Sequence, residues 1–286
     1  VTAADRRTLG IIAGGGEVPL IVAAAAQAEG REVMILGIAG EADPAIARHR
    51  HEIVRWGEIG RMFDLLRRAG VGDIVVCGAI TRRPDFKSIR LDLGAIMSLP
   101  RILGIVVGGD DTVLTGVIRF VEDKGFRIVG AHEIAPALVA PAGSIGRIAP
   151  PRGHAADAEA GYVAAVTLGR LDIGQAAVAI GGRVVGVEGV EGTDGLLKRV
   201  AELRAAGRLS WKGRSGVLVK AAKPQQDLRV DMPTIGPHTA EIARDAGLAG
   251  IAVEAGRVMI VGRAETEAVL DAAGMYLVGL PQHPVA

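Results

Sequence analysis

Cysteine is nearly absent from this chain of 286 residues: Cys77 stands alone, inside the apolar run Ile74-Val75-Val76-Cys77. An intramolecular disulfide is impossible, and a reducing, cytoplasmic compartment is expected. With only six scattered histidines besides, a closed zinc site is not expected. The formal net charge is +1, so there is no electrostatic footprint for nucleic acid. No uninterrupted apolar run approaches the length that crosses a bilayer. Four motifs that would name a mechanism are missing: the P-loop, the H-E-x-x-H zinc helix, the EF-hand loop and the G-x-S-x-G elbow.

What is present is an Ala/Val/Ile/Gly-rich chain, 49% hydrophobic with 41 glycines and 3% aromatics, long enough for two domains. Leu9–Ala13 reads as a strand, Gly14-Gly15-Gly16 as a turn, and Pro19 as the opening of a helix that ends near Gly30. Strands at 33–38, 74–77 and 126–129 and helices at 59–69 and 111–124 continue the alternation, which predicts a doubly wound parallel sheet. The dinucleotide fingerprint fails, because its third glycine falls on Pro19 and no acid closes the second strand at Leu36-Gly37-Ile38. The glycine loop then either binds another nucleotide or makes a tight turn. Arg82 and Arg83, after a strand end, suit an anion.

Prolines 136, 141, 150 and 151 punctuate a stretch read as a linker over 136–153, between a domain of 1–135 and one of 154–286. The second half begins with a helix, then Gln175, a strand at 176–180, a Gly181-Gly182 hairpin turn and a return strand. Glu188 and Glu191 follow; helix capping by Thr193 or Asp194 accounts for neither. Residues 250–253 and 258–261 read as a second hairpin, with Glu254 at its turn.

Lys220–Gly236 draws most attention, because it packs Lys220, Lys223, Asp227, Arg229 and Asp231 between an apolar run and a helix opening at Pro237. Little of it reads as core. If 227–231 is extended, alternation sets Arg229 between two carboxylates on one face. Gly236 just before the helix marks an anion-friendly terminus. Glu188 and Glu191 could join Asp231 around a metal, since Mg²⁺ takes a few carboxylates, waters and phosphate oxygens.

Seven motifs in this order, A-G-G-G-E-V-P, the Thr81–Phe86 segment with Arg82 and Asp85, G-A-H-E, L-D-I-G-Q, E-G-T-D, K-P and R-V-D-M-P-T-I-G, resemble the bacterial UDP-2,3-diacylglucosamine pyrophosphatases of lipid A biosynthesis, in the form unrelated to calcineurin-like metallophosphatases. The resemblance covers nearly the whole chain. It implies an N-terminal Rossmann-like domain, a C-terminal mixed α/β domain with substrate between them, and Mg²⁺-dependent hydrolysis to UMP and a sugar 1-phosphate. It places the essential aspartate at Asp231. Beside it we expect Lys223 and Arg229 as catalytic cations and Glu191 as a second metal ligand. Substrate contacts are expected from Gly14, Gly15, Gly16, Arg82, Asp85, Gln175, Thr193, Lys220, Thr234 and Gly236. A diacylated substrate is also compatible with transient contact with the inner-membrane surface of a Gram-negative bacterium through basic side chains such as Arg48, Arg50, Arg82 and Arg83, the alternative being that these are scattered surface arginines. The competing readings are a nicotinamide-dependent reductase and a non-catalytic two-domain sensor of a nucleotide sugar. Titration with NADPH is expected to leave the protein's fluorescence unchanged; saturable quenching would restore the reductase.

Overall fold

The computed structural model describes residues 8–80, 92, 94–96 and 110–282. They separate into two compact units, one drawn from 1–136 and 227–231, the other from 137–226 and 232–286. The first holds five parallel strands, β1 (Thr8–Ala13), β2 (Val33–Ile38), β3 (His51–Val54), β4 (Val71–Cys77) and β5 (Arg127–Ile128), in the order β3-β2-β1-β4-β5. Leu9, Ile11 and Ala13 are fully buried, as expected of a central strand covered on both faces. The helices are α1 (Val18–Ala28), α2 (Ile59–Arg68), α3 (Asp110–Glu122) and the single turn α4 (Ala131–Ile134). Phe63 of α2 meets Phe120 of α3 edge-on and stacks with Phe126, at 5.7 Å in each case, closing the core beneath the sheet.

At the amino-terminal edge of this sheet Asp73 accepts hydrogen bonds from Arg31 at 2.5 Å and from Arg127 at 2.8 and 3.0 Å. Burial alone would raise its carboxyl; the hydrogen bonds from Arg127 and Arg31 outweigh burial and hold it below the usual range.

The second unit contains α5 (Ala155–Arg170), α6 (Gly192–Ala205), α7 (Pro237–Asp245) and α8 (Arg263–Ala272). Its strands are β6 (Gly143–Ser144), β7 (Ala176–Ile180), β8 (Arg183–Val187), β9 (Val217–Lys220), β10 (Thr234–Ile235), β11 (Gly250–Glu254), β12 (Met259–Ile260) and β13 (Tyr276–Leu280). Six of them form a mixed sheet, β6-β13-β11-β9-β7-β8; β10 and β12 form a separate parallel pair. β9, β11 and β13 are parallel, whereas β7 runs antiparallel to β9 and β8 antiparallel to β7. The β7–β8 hairpin turns at Gly181 and Gly182 as expected, with φ of 63° and 73°, the left-handed pair such a turn requires.

Four expectations are corrected. Residues 137–153 are not a linker: β6 pairs with β13, the Ala140 amide donates to Val258, and Ala140 is buried in the second core. The prolines there remove donors only locally, and neighbouring residues still join the sheet. Residues 250–254 and 259–260 are not a hairpin, since β12 pairs with β10 and β11 lies between β9 and β13. Lys220–Gly236 is not mostly surface; Lys220, Ala221, Ala222, Gln226, Met232 and Ile235 are buried. Asp227–Asp231 is not extended: the amides of Val230 and Asp231 both donate to the Asp227 carbonyl, so the segment is a turn. That turn belongs to the first unit, with Val230 against its core. Among the described residues no helix is long and apolar enough to cross a membrane.

Because the folded-state pKa of Asp73 is lowered, its ion triad stabilises fully above the ordinary carboxylate range and is lost as pH falls through the lowered value. Asp73→Asn should cost about 2 kcal/mol at neutral pH, less than a fully buried pair would because Arg127 is largely solvated. In urea denaturation the gap from wild type should narrow only below about pH 4. An unchanged gap there would reject the triad as a source of acid sensitivity.

Candidate active site

The strand directions of the second unit bring Gln175, Glu188, Lys220 and Glu254 to one edge of its sheet. Lys220 ends β9 and Glu254 ends β11, so both stand at carboxyl ends of parallel strands, where α/β sheets place ligands. β7 runs the other way, so its first residue, Ala176, lies opposite Lys220, and Gln175 directly precedes it. β8 returns to the same edge, where the Glu188 amide donates to the Ala176 carbonyl at 2.9 Å.

The centre of this edge is a buried polar chain. Lys220, Glu188 and Thr193 are 8%, 6% and 8% exposed. Lys220 Nζ donates to Thr193 Oγ1 at 3.0 Å and to the Thr234 carbonyl at 2.9 Å. Thr193 Oγ1 donates to Glu188 Oε1 at 2.7 Å, and the Gln175 amide donates to Glu188 Oε2 at 2.7 Å. Gln175 Oε1 is buried and has no hydrogen-bond partner among the described residues, an acceptor suited to a donor from a ligand.

A second bracket holds the bend after β9. Glu254 accepts from the Ala222 amide at 2.9 Å and from Tyr162 Oη at 3.2 Å, with Arg257 Nε 3.4 Å away. Lys223 forms an ion pair with Asp172, whose φ of 55° is left-handed, a conformation that aspartate tolerates better than most residues. Nothing in the sequence marked Tyr162 or Arg257: Tyr162 lies mid-helix in α5, 92 residues from Glu254, and Arg257 sits on the turn just after β11, while Asp172 falls in the L-D-I-G-Q motif with no role assigned to it there.

Other expected residues are engaged differently. Arg229 binds Asp227 through two nitrogens, at 3.0 and 2.7 Å, and reaches Glu122 at 3.2 Å. Those hydrogen bonds from Arg229, against burial, hold the Asp227 carboxyl below its usual range, and the pairing raises Arg229. Arg229 thus clamps the turn that carries Asp231, and its charge is already met by two acids. Glu191 lies immediately before α6, with its carboxylate 2.9 Å from Arg199. Asp231 and Glu191 belong to different units, and the described residues contain no group of three or more histidine, cysteine or acidic side chains able to hold a metal. Gly236 precedes α7, which opens at Pro237 as expected.

In the glycine loop, two of the three amides are bound to backbone acceptors. The Gly14 amide donates to the Cys77 carbonyl, and Gly15 exchanges both backbone bonds with Ala79. A Cβ at Gly14 would lie 2.5 Å from the Ala79 carbonyl oxygen, so glycine here permits two loops to touch. Gly16 is exposed at φ 84°. Arg82 and Asp85 lie outside the described residues. A shallow depression of the first unit, lined by Gly60, Arg61, Asp64 and Asp92, contains none of the candidate residues.

Residues 8–138 match the LpxI N-terminal domain, and residues 141–278 match the LpxI C-terminal domain. The chain belongs to the LpxI family. The UDP-2,3-diacylglucosamine pyrophosphatase LpxI of Caulobacter vibrioides (strain ATCC 19089 / CIP 103742 / CB 15) is 41% identical over 274 residues, which cover 96% of this chain and 98% of that protein. The interval between the two LpxI domains, 138–141, lies beside the division of the compact units at 136 and 137.

Burial pushes the Cys77 thiol up to about 12, which keeps it in the protonated, weakly nucleophilic form at neutral pH. Cys77→Ala should keep its activity within about two-fold of the wild type, and thiol titration should find Cys77 slow until the protein is unfolded. Rapid labelling with parallel loss of activity would instead place the thiol in the site.

Proposed function

We propose that this chain hydrolyses the diphosphate of UDP-2,3-diacylglucosamine, adding water across the P–O–P link to give UMP and 2,3-diacylglucosamine 1-phosphate in lipid A biosynthesis. The observation that carries the reading is 41% identity along nearly the full length of a pyrophosphatase of that name. The geometry agrees with it, because a diphosphate needs cations and donors held in place rather than a covalent nucleophile. Lys220 supplies a buried ammonium, Thr193 and Gln175 stand beside it at the same sheet edge, and Gln175 Oε1 offers an acceptor to a substrate hydroxyl or imide. Lys223 adds a second cation on the following bend, paired with Asp172.

Mg²⁺ fits in a restricted way. With no three-ligand group among the described residues, it would be held mainly by diphosphate oxygens and water, with Asp231 as its protein carboxylate. When bound it supplies neutralisation of phosphate charge. Asp231 is assigned to this task or to orienting the attacking water. Its amide is tied to the Asp227 carbonyl, and Arg229 braces the same turn, so the carboxylate is presented from a fixed backbone. Glu191 is dropped from the metal shell in this reading, since Arg199 occupies its carboxylate. Arg48 and Arg50, both exposed, are assigned to contact with the inner-membrane surface from the cytoplasmic side.

Asp231→Ala should lower UMP release from the diacylated substrate in Mg²⁺ by about 10³-fold, roughly 4 kcal/mol of barrier, with nucleotide-sugar binding retained. EDTA should abolish turnover in the wild type, and added Mg²⁺ should restore it. Saturable binding by the wild type without any UMP release would favour the non-catalytic sensor instead.

A further inference from the structure

Glu188 takes no part in the chemistry assigned above, yet it is the most buried member of the polar chain. An ionised carboxylate only accepts hydrogen bonds, and both of its oxygens are used, one by the Gln175 amide and one by the Thr193 hydroxyl. A threonine hydroxyl has a single proton. Once that proton is directed at Glu188, only lone pairs remain to face Lys220, whose ammonium can only donate. The chain therefore runs in one direction, from Lys220 through Thr193 to Glu188, with opposite charges one hydroxyl apart in a water-poor setting. The loop before Gln175 is seated just as closely: a Cβ at Gly174 would lie 2.4 Å from the Glu188 carbonyl oxygen.

We propose that Glu188 is a positioning residue for the hydrolysis: it fixes the orientation of the Thr193 hydroxyl and thereby holds the Lys220 ammonium, while its second oxygen fixes the backbone at Gln175. The inference rests on the reading that Lys220 serves the diphosphate.

Glu188→Gln tests it almost without a change of volume. The Gln175 amide still needs an acceptor, so the new amide oxygen must face it and the new NH₂ must face Thr193. Thr193 then has to accept from that NH₂, and its own proton, with no carboxylate to take it, no longer fixes the hydroxyl's orientation toward Lys220. Turnover of the diacylated substrate should fall about 10–100-fold, the range seen when a supporting partner of a site residue is lost, with KM and thermal stability little changed. Thr193→Val should be as slow as Glu188→Gln, Thr193→Ser should recover most of the turnover that Thr193→Val loses, and the Glu188→Gln/Thr193→Val double variant should be little slower than either single one, because both break the same link. Turnover of Glu188→Gln within about two-fold of wild type, or multiplicative losses in the double variant, would overturn the proposal provided that Lys220→Met is inactive. An active Lys220→Met would instead remove the assigned role of Lys220, and the positioning role with it. Should Glu188→Gln fail to fold, the contrast between Thr193→Ser and Thr193→Val decides the matter: full activity in the valine variant sinks the relay.

Discussion

The second unit is built around an ammonium group placed below the surface. A lysine head removed from water is tolerated only when charge and hydrogen-bonding capacity are answered nearby. For Lys220 the answer comes from Thr193 on α6, the carbonyl of Thr234 on β10 and, through Thr193, the carboxylate of Glu188 after β8. Meeting that need fixes where three separate elements sit. An antiparallel hairpin beside parallel strands makes this possible, because the start of β7 and the end of β8 arrive at the same edge as the end of β9.

The first unit shows a division of labour between the two edges of its sheet. At the amino-terminal edge, the Arg31–Asp73–Arg127 triad ties the chain before β2 to β4 and β5. At the carboxyl edge, the glycine loop after β1 lies directly on the loop after β4, with two of its amides committed to backbone acceptors. Farther along the same chain, the turn at 227–231 is set by Arg229 between Asp227 and Glu122, with Val230 as its apolar foot.

Much of the fold could be read locally. The strand β1, the Pro19 helix opening and the Gly181-Gly182 turn follow from apolar runs and from conformations that proline and glycine favour, and the structure has each where expected. The misreadings share a cause. Whether 259–260 pairs with 250–254 or with 234–235, and whether 143–144 is linker or edge strand, depends on partners far away in the chain. Alternation gave the wrong picture at 227–231 because Arg229 reaches Asp227 by closing a turn rather than by lying between two acids on a strand. Lys220 and Thr193 do meet, while Glu191 and Arg229 satisfy acids or bases of their own.

By itself the sequence determined what short-range chemistry dictates: the alternation of strands and helices, the impossibility of an internal disulfide, and an ordered set of motifs sufficient to indicate a family. Only the tertiary structure decided which charges answer one another. Lys220 and Thr193 stand 27 residues apart, and Tyr162 and Glu254 stand 92 apart. No periodicity encodes such meetings, because a buried polar group takes its partner from whatever backbone and side chains the packed sheet brings within reach.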